Sequence, residues 1–481
     1  MSSTEPDQAQ FPRAMALLVA GAFFMEILDA TIITPAIPLM ATSFGIDPVD
    51  VNVAISAYLV TVAVLIPASG WMADRFGARP VFAAAIAIFT LASIGCAASV
   101  SLPMLVAMRV LQGVGGAMMV PVGRLAVLRF SGKANLVRAI ALLTWPALAA
   151  PVVAPVLGGA IATLGSWRWI FVVNIPIGII GFLLALKLIR EPSPGRFAPA
   201  PDGAAIPSPR PLDWRGLAAL GAGIAVALIA LERIRVTGTD WLLVAVGAAL
   251  AVVLLAAATW HLLRYRYPLV QLRVLRVPTL RITVSAGSLY RLVITAVPFL
   301  LPLQFQLVFG WTPFAAGLLV AALFAGNIAI KPATTPLMRR YGIRRVLLVN
   351  GVLSVGSFGL LAVLTPGMPV VVIAAILFVS GALRSIGFTA YNSLAFSDVD
   401  GDDLTHANTL NAAVQELAAG LGIAVAALAL STFTPLAADH GHGPGAAYGL
   451  TFLVLGALMV VTIVETLRLP RDAGSAVTAK T

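Results

Sequence analysis

The sequence predicts an all-α integral membrane protein with fourteen spanning helices, and three observations carry that expectation. Of 481 residues, 60% are hydrophobic and 11% are charged, against roughly 45–50% and 25% in soluble domains. No water-soluble fold hides that much apolar surface. The apolar residues come in blocks of about 20 or more, each long enough to cross a ~30 Å hydrocarbon core as a helix. A charged loop also recurs between blocks, as Gly70-Trp-Met-Ala-Asp-Arg-Phe-Gly-Ala-Arg79 and as Thr335-Pro-Leu-Met-Arg-Arg-Tyr-Gly-Ile-Arg344.

The blocks lie near 13–41, 51–74, 80–99, 103–129, 136–164, 168–190, 215–232, 240–263, 282–309, 313–336, 345–365, 369–394, 405–434 and 447–468. An even number places both termini on one side. With the amino terminus inside, 24 of the 31 Lys and Arg fall in inner segments and only Arg168, Arg233 and Arg235 in outer ones. The positive-inside bias therefore makes both termini cytoplasmic. The net charge of +11 is explained by topology, because the basic residues form short runs and no continuous face for nucleic acid. The first block is read as a span, since the preceding MSSTEPDQAQFPR lacks the basic region of a cleaved signal. The single cysteine, Cys96, excludes an intramolecular disulfide.

Aligned without gaps, the two loops match Arg75 with Arg340, Phe76 with Tyr341, Gly77 with Gly342 and Arg79 with Arg344, at a spacing of 265 residues. Six helices with loops need about 200 residues, so two further spans are inserted. The expected organisation is an N-terminal six-helix bundle over 13–190, a cytoplasmic linker over 191–214, two inserted helices over 215–263 and a C-terminal six-helix bundle over 281–468. Two parallel halves enclose a cleft that opens to either side by rocking. No HExxH, GxSxG or Cys-His arrangement is present, so no enzyme is expected.

Several motifs bear a resemblance. Leu28-Asp-Ala-Thr-Ile-Ile-Thr-Pro-Ala-Ile-Pro38 is similar to LDxTIVNxAlP, Gly70 to Arg79 to GxLaDrxGrr, and Arg109-Val-Leu-Gln-Gly113 to RxxQG. Ala154-Pro-Val-Leu-Gly-Gly159 resembles GPxxGG with Ala154 where Gly is usual, and Trp167 to Gly178 resembles WRWIFxxNxPxG. Together these resemble the fourteen-helix drug:proton antiporters of the major facilitator superfamily, nearest to the MdtD-type (HsrA-like) inner-membrane branch. The resemblance implies a monomer in the bacterial cytoplasmic (inner) membrane. It would export small amphipathic or drug-like molecules by alternating access, driven by the proton gradient with no cofactor. Export of organic anions or metal chelates, or nutrient import, is the alternative.

Ionisable residues within spans are functional candidates because burying charge in hydrocarbon is costly. The acids are Glu26, Asp29 and Glu416. Glu26 and Asp29, three residues apart, share a helical face. Two carboxylates that close rarely both ionise, which suits a proton carrier. The bland reading is that Asp29 bonds to neighbouring backbone or Thr31. Arg109 either joins that relay or forms a structural ion pair with Glu26 or Asp29. Gln112, Arg291, Asn327, Arg384, Tyr391 and Asn392 are expected to line the cleft, while Lys331 reaches the inner surface. The resemblance assigns gating to Gly70, Asp74, Arg75, Gly77 and Arg79. Pro151, Pro155, Gly158 and Gly159 make a thin, kinked hinge. Metal binding is not expected, either at the acidic Asp398 to Asp403 loop, which lacks the ligand register of a calcium site, or at His440 and His442.

Overall fold

The architecture comes from a computed structural model. It describes residues 13–189, 211–234, 241–400, 403–470 and 473–474, except for the side chains of 128–145, 147, 148 and 232. Residues 191–210 of the expected linker, Arg235, and Gly401 and Asp402 of the acidic loop lie outside the described residues. Among the described residues there is helix and no strand.

The first span is α1 (Arg13–Ile32), continued by a 3-10 turn and α2 (Ile37–Phe44). Pro35 and Pro38 interrupt it because proline lacks the amide that the helix ladder needs. Then come α3 (Asn52–Phe76), α4 (Ala78–Ala97), α5 (Leu102–Leu164), the single turn α6 (Trp169–Val172) and α7 (Asn174–Leu188). The pair α8 (Trp214–Arg233) and α9 (Trp241–Arg264) follows. The remainder comprises α10 (Pro278–Ile282), α11 (Ser288–Leu307), α12 (Pro313–Ala329), α13 (Lys331–Tyr341), α14 (Ile343–Ala362), α15 (Val370–Ala395), α16 (Leu404–Asp439) and α17 (Gly445–Leu467). Among the described residues, twelve helical stretches are long and apolar enough to cross a membrane, and α12 with α13, bent by 46° at the break around Ile330, makes a thirteenth. The fifth predicted span is matched only by the shorter apolar stretch Ala149–Leu164.

That stretch belongs to α5, in which the expected fourth and fifth spans and their connection are all helical. Gly123 packs against Val19 of α1, and Gly158 packs against Ile32 of the same helix. A straight helix would separate the two glycines by about 52 Å, whereas their partners are about 20 Å apart along α1. The chain therefore doubles back within α5, as the two-span expectation requires.

The repeat is visible in the backbone. Gly77 ends α3 at φ 91° and Gly342 ends α13 at φ 79°, a region that L side chains rarely adopt. Two residues on, Arg79 donates to the carbonyl of Leu186 at 2.5 Å and Arg344 to that of Leu467 at 3.0 Å. Each arginine thus clamps the last carbonyls of a helix carboxyl terminus, where cations are favoured. These corners, with Arg75, Arg339 and Arg340 beside them, mark one end of the molecule, here called the basic end.

Helices α1 to α7 pack on one another, and α11 to α17 do likewise, with α3 against α16 and α5 against α12 as the seam between the groups. The seam is closed away from the basic end, at the far end. Ser56 Oγ donates to Gly420 O at 3.2 Å, Gln306 Nε2 to Pro35 O at 2.9 Å, and the Phe314 amide to Thr163 Oγ1 at 3.2 Å. Glycine makes this approach possible: a Cβ on Gly159 would sit 2.4 Å from Pro313 O, and one on Gly317 2.1 Å from Pro155 O. The inserted pair packs on itself, with α8 also touching α3 and α16. Asp213 caps α8 through the Gly216 amide at 2.9 Å, lies 2.7 Å from His261 Nε2 of α9 and accepts from the Leu269 amide at 3.3 Å.

Gly317→Leu should wedge α12 off α5 and open the far end. Spin labels at Leu164 and Phe314 would then move apart by several ångströms in a dipolar distance measurement, and an unchanged distribution would refute the glycine-dependent seam.

Candidate functional site

Polar side chains are scarce in the spans, and in the first group several buried ones converge on Asp29. Its Oδ2 pairs with Nη1 of Arg109, while its Oδ1 accepts from Gln112 Nε2 at 2.9 Å and from Asn174 Nδ2 at 2.6 Å. Arg109 Nη1 also donates to Gln112 Oε1 at 2.8 Å, and Gln112 Nε2 to Ser93 Oγ at 2.9 Å. Above the pair the guanidinium lies 4.3 Å from the centroid of Tyr58, a favourable cation–π distance. Asp29, Arg109 and Gln112 are completely buried. The knot draws on α1, α3, α4, α5 and α7, so five helices share one charge pair.

Asp29 is enclosed by packed helices and forms the ion pair with Arg109 that was one of the two arrangements expected. Gln112 braces that pair and does not line a cavity. Thr31, the other partner weighed for Asp29, instead donates to Ile27 O at 2.8 Å.

Glu26 has a different outlook, although it lies on the same helix. A three-residue step leaves about 60° of rotation and 4.5 Å of rise between the two acids. While Asp29 turns into its own group, Glu26 sits beside Tyr58 and within electrostatic range of Glu416 on α16, across the seam. Its Oε2 is enclosed and has no hydrogen-bond partner. Glu416 in turn lies 4.0 Å from Arg291 Nη2 of α11, and these two side chains keep 30% and 26% of their surface exposed. The gap between the groups thus reaches the acid of the second group. Arg291 also lies 4.9 Å from the ring of Phe388.

The remaining expected cavity residues divide. Asn327 is half-buried on α12, and Asn392, also half-buried, donates to Phe388 O at 2.8 Å and accepts from Asn411 Nδ2 at 3.4 Å. Tyr391 is buried with its hydroxyl 2.9 Å from Thr466 Oγ1, a packing position and not a cavity wall. Arg384 is buried at 9% exposure, over the ring of Phe324 at 5.7 Å. Lys331 does not reach outward; it donates to Thr389 Oγ1 at 3.2 Å at the α12–α13 bend. Of the residues expected to gate, Gly70, Asp74 and Arg75 are exposed at the basic end, and Gly77 and Arg79 form the corner described above. Pro155, Gly158 and Gly159 lie on the faces of α5 that meet α12 and α1, and half-buried Pro151 lies one turn earlier on the same stretch. Among the described residues no cluster of three His, Cys, Asp or Glu could hold a metal. Asn174 and Ser93 were not foreseen as partners of Asp29; their signal was that of single polar side chains within apolar spans.

Paired groups of membrane-length helices that meet at a charged seam are the architecture of a membrane transporter. The sequence profile of the Major Facilitator Superfamily matches residues 19–423, and the chain belongs to that superfamily. It is 34% identical over 476 residues to a Cronobacter sakazakii protein named multidrug resistance protein MdtD, covering 97% of this chain and 96% of that one. A Yersinia pestis protein of the same name is 33% identical, covering 97% and 98%. Among solved structures, an auto-inhibited peptide transporter of the POT family superposes with a TM-score of 0.68 at 16% identity, covering 95% of this chain and 97% of that one.

Arg109→Met should destabilise the protein by roughly 3–5 kcal/mol, the cost of stranding a buried charge. The double variant Asp29→Leu with Arg109→Met should cost less than the two single changes added together. Additive losses in thermal or denaturant unfolding would show that the pair is not coupled.

Proposed function

We propose that the protein is a proton-driven antiporter that exports small amphipathic or drug-like molecules by alternating access. In this reading it is a monomer in the bacterial cytoplasmic membrane, its basic end and both termini on the cytoplasmic side. The observation that carries the reading is the facing of Glu26 and Glu416 across the seam. Two acids within electrostatic range of each other in a low dielectric are hard to ionise together. Rocking of one group against the other changes both their separation and their access to water, which couples proton uptake and release to the side on which the cleft opens.

In this mechanism Glu26 is the primary proton carrier and Glu416 its counterpart, poised by Arg291. Asp29 and Arg109 hold α1 in the rotation that presents Glu26 to the seam. The glycines of α5 and α12 form the surface on which the groups pivot. The corners at Gly77 and Gly342, with Asp74 and Arg75, stabilise one access state through charge at the basic end. The names of the two relatives favour drug-like cargo. Anionic cargo would lean on Arg291 and Arg384, but Arg291 is already beside Glu416 and Arg384 is buried. The groups that face the gap therefore favour neutral or cationic cargo.

The test uses inside-out vesicles with an imposed proton gradient. Wild-type protein should accumulate a lipophilic cation, and collapse of the gradient should abolish that accumulation. In Glu26→Gln, gradient-driven uptake should fall to the level of empty vesicles while exchange of cargo for cargo persists. Proton-coupled uptake at the wild-type rate in that variant would remove Glu26 from the mechanism.

A further inference from the structure

The second group contains a buried cation that the proton mechanism does not use. Arg384 lies mid-helix on α15, and its Nε and Nη1 meet no hydrogen-bond partner. Among the described residues no carboxylate pairs with it, since the ion pairs formed at mid-depth are those of Arg109 with Asp29 and Arg291 with Glu416. The charged side chain within electrostatic range of it is Arg291, which has the same sign. An uncompensated buried charge is expensive, so a counter-charge is missing from the protein itself.

The surroundings provide a place for one. Beside the guanidinium is a chamber of about 10 Å³. Ser354 and Ser357 of α14 and Ser380 of α15 supply hydroxyls to its wall, and Phe358 and Met459 close it with apolar surface. Ser357 Oγ is buried without a partner. Tyr290 is not available as a donor, because its hydroxyl donates to Leu383 O at 3.0 Å. Guanidinium and serine hydroxyls are donors, and donors converging on a small space suit an anion.

We infer that Arg384, Ser354, Ser357 and Ser380 form a binding site for one small inorganic anion, a halide, within the C-terminal helical group. Size excludes the alternatives with more atoms: the chamber is about one solvent-sized sphere, too small for a carboxylate or phosphate of a transported molecule. A water molecule would fit but would leave the charge uncompensated. The site is separate from the Glu26–Glu416 pair, and the bound anion acts as a fixed structural counter-ion joining α14 to α15.

The full-length protein in detergent tests this by thermal unfolding in sodium chloride and in sodium gluconate at equal ionic strength. The midpoint should be about 2–4 °C higher in chloride, rising saturably with its concentration, and bromide should substitute. Arg384→Met should lose the chloride response. If that variant does not fold, Ser357→Val, which keeps the arginine, should at least halve the response. Bromide soaked into crystals should give an anomalous peak between Arg384 and Ser357. Equal midpoints in chloride and gluconate, or a full response in Ser357→Val together with no peak at Arg384, would overturn the site.

Discussion

The arrangement depends on the buried pair between Asp29 and Arg109. A guanidinium at the centre of a bilayer costs about 2.5–3.5 kcal/mol even on the most lenient scale. Arg109 is tolerable only because Asp29, Gln112, the carbonyl of Ala54 at 3.4 Å and the ring of Tyr58 surround it. Such a pair has strict geometric needs, and the protein meets them with contributions from five helices. Those demands fix the rotation of α1 about its own axis. The orientation of Glu26 follows, because an acid one short step along the same helix has no freedom once Asp29 is held.

A second constraint acts at the basic end. The corners at Gly77 and Gly342 are backbone solutions of the same kind, each followed by an arginine that reaches the carboxyl end of the last helix in its group. Each group therefore has its third and final spans tied together. Between the groups, carbonyls rest where a side chain would otherwise stand, at Gly159 and Gly317. A surface without side chains has little to interlock and can slide or part at low cost.

Much of this was legible in the sequence because its causes are local. Apart from the fourth and fifth, which share α5, each predicted span corresponds to a helical stretch within a few residues, since apolar length largely decides the matter, and the recurrence of Arg-x-Gly-x-Arg pointed directly to the repeated corner. The fifth span was harder: its connection to the fourth is helical, so no loop signal marks it, and only contacts to both ends of α1 reveal the reversal. The division of labour between Asp29 and Glu26 was hidden for another reason. Spacing showed that they share a face, but the partners that separate them, Arg109, Asn174 and Glu416, lie from 80 to 390 residues along the chain. Ser354, Ser357 and Ser380 were similarly silent, because a lone serine in an apolar helix normally bonds its own backbone.

The contact of α8 with both α3 and α16 makes the two flanks of the molecule unequal. On that flank a third helix rides over the line where the groups meet, and a cavity of about 1210 Å³ with mostly apolar walls, including Val60, Val110, Ala225 and Leu228, lies beneath it. Along the other line, between α5 and α12, the described residues place no such cover. A solute dissolved in the lipid would thus find one side roofed and the other bare, so the inserted pair breaks a symmetry that the duplication had made.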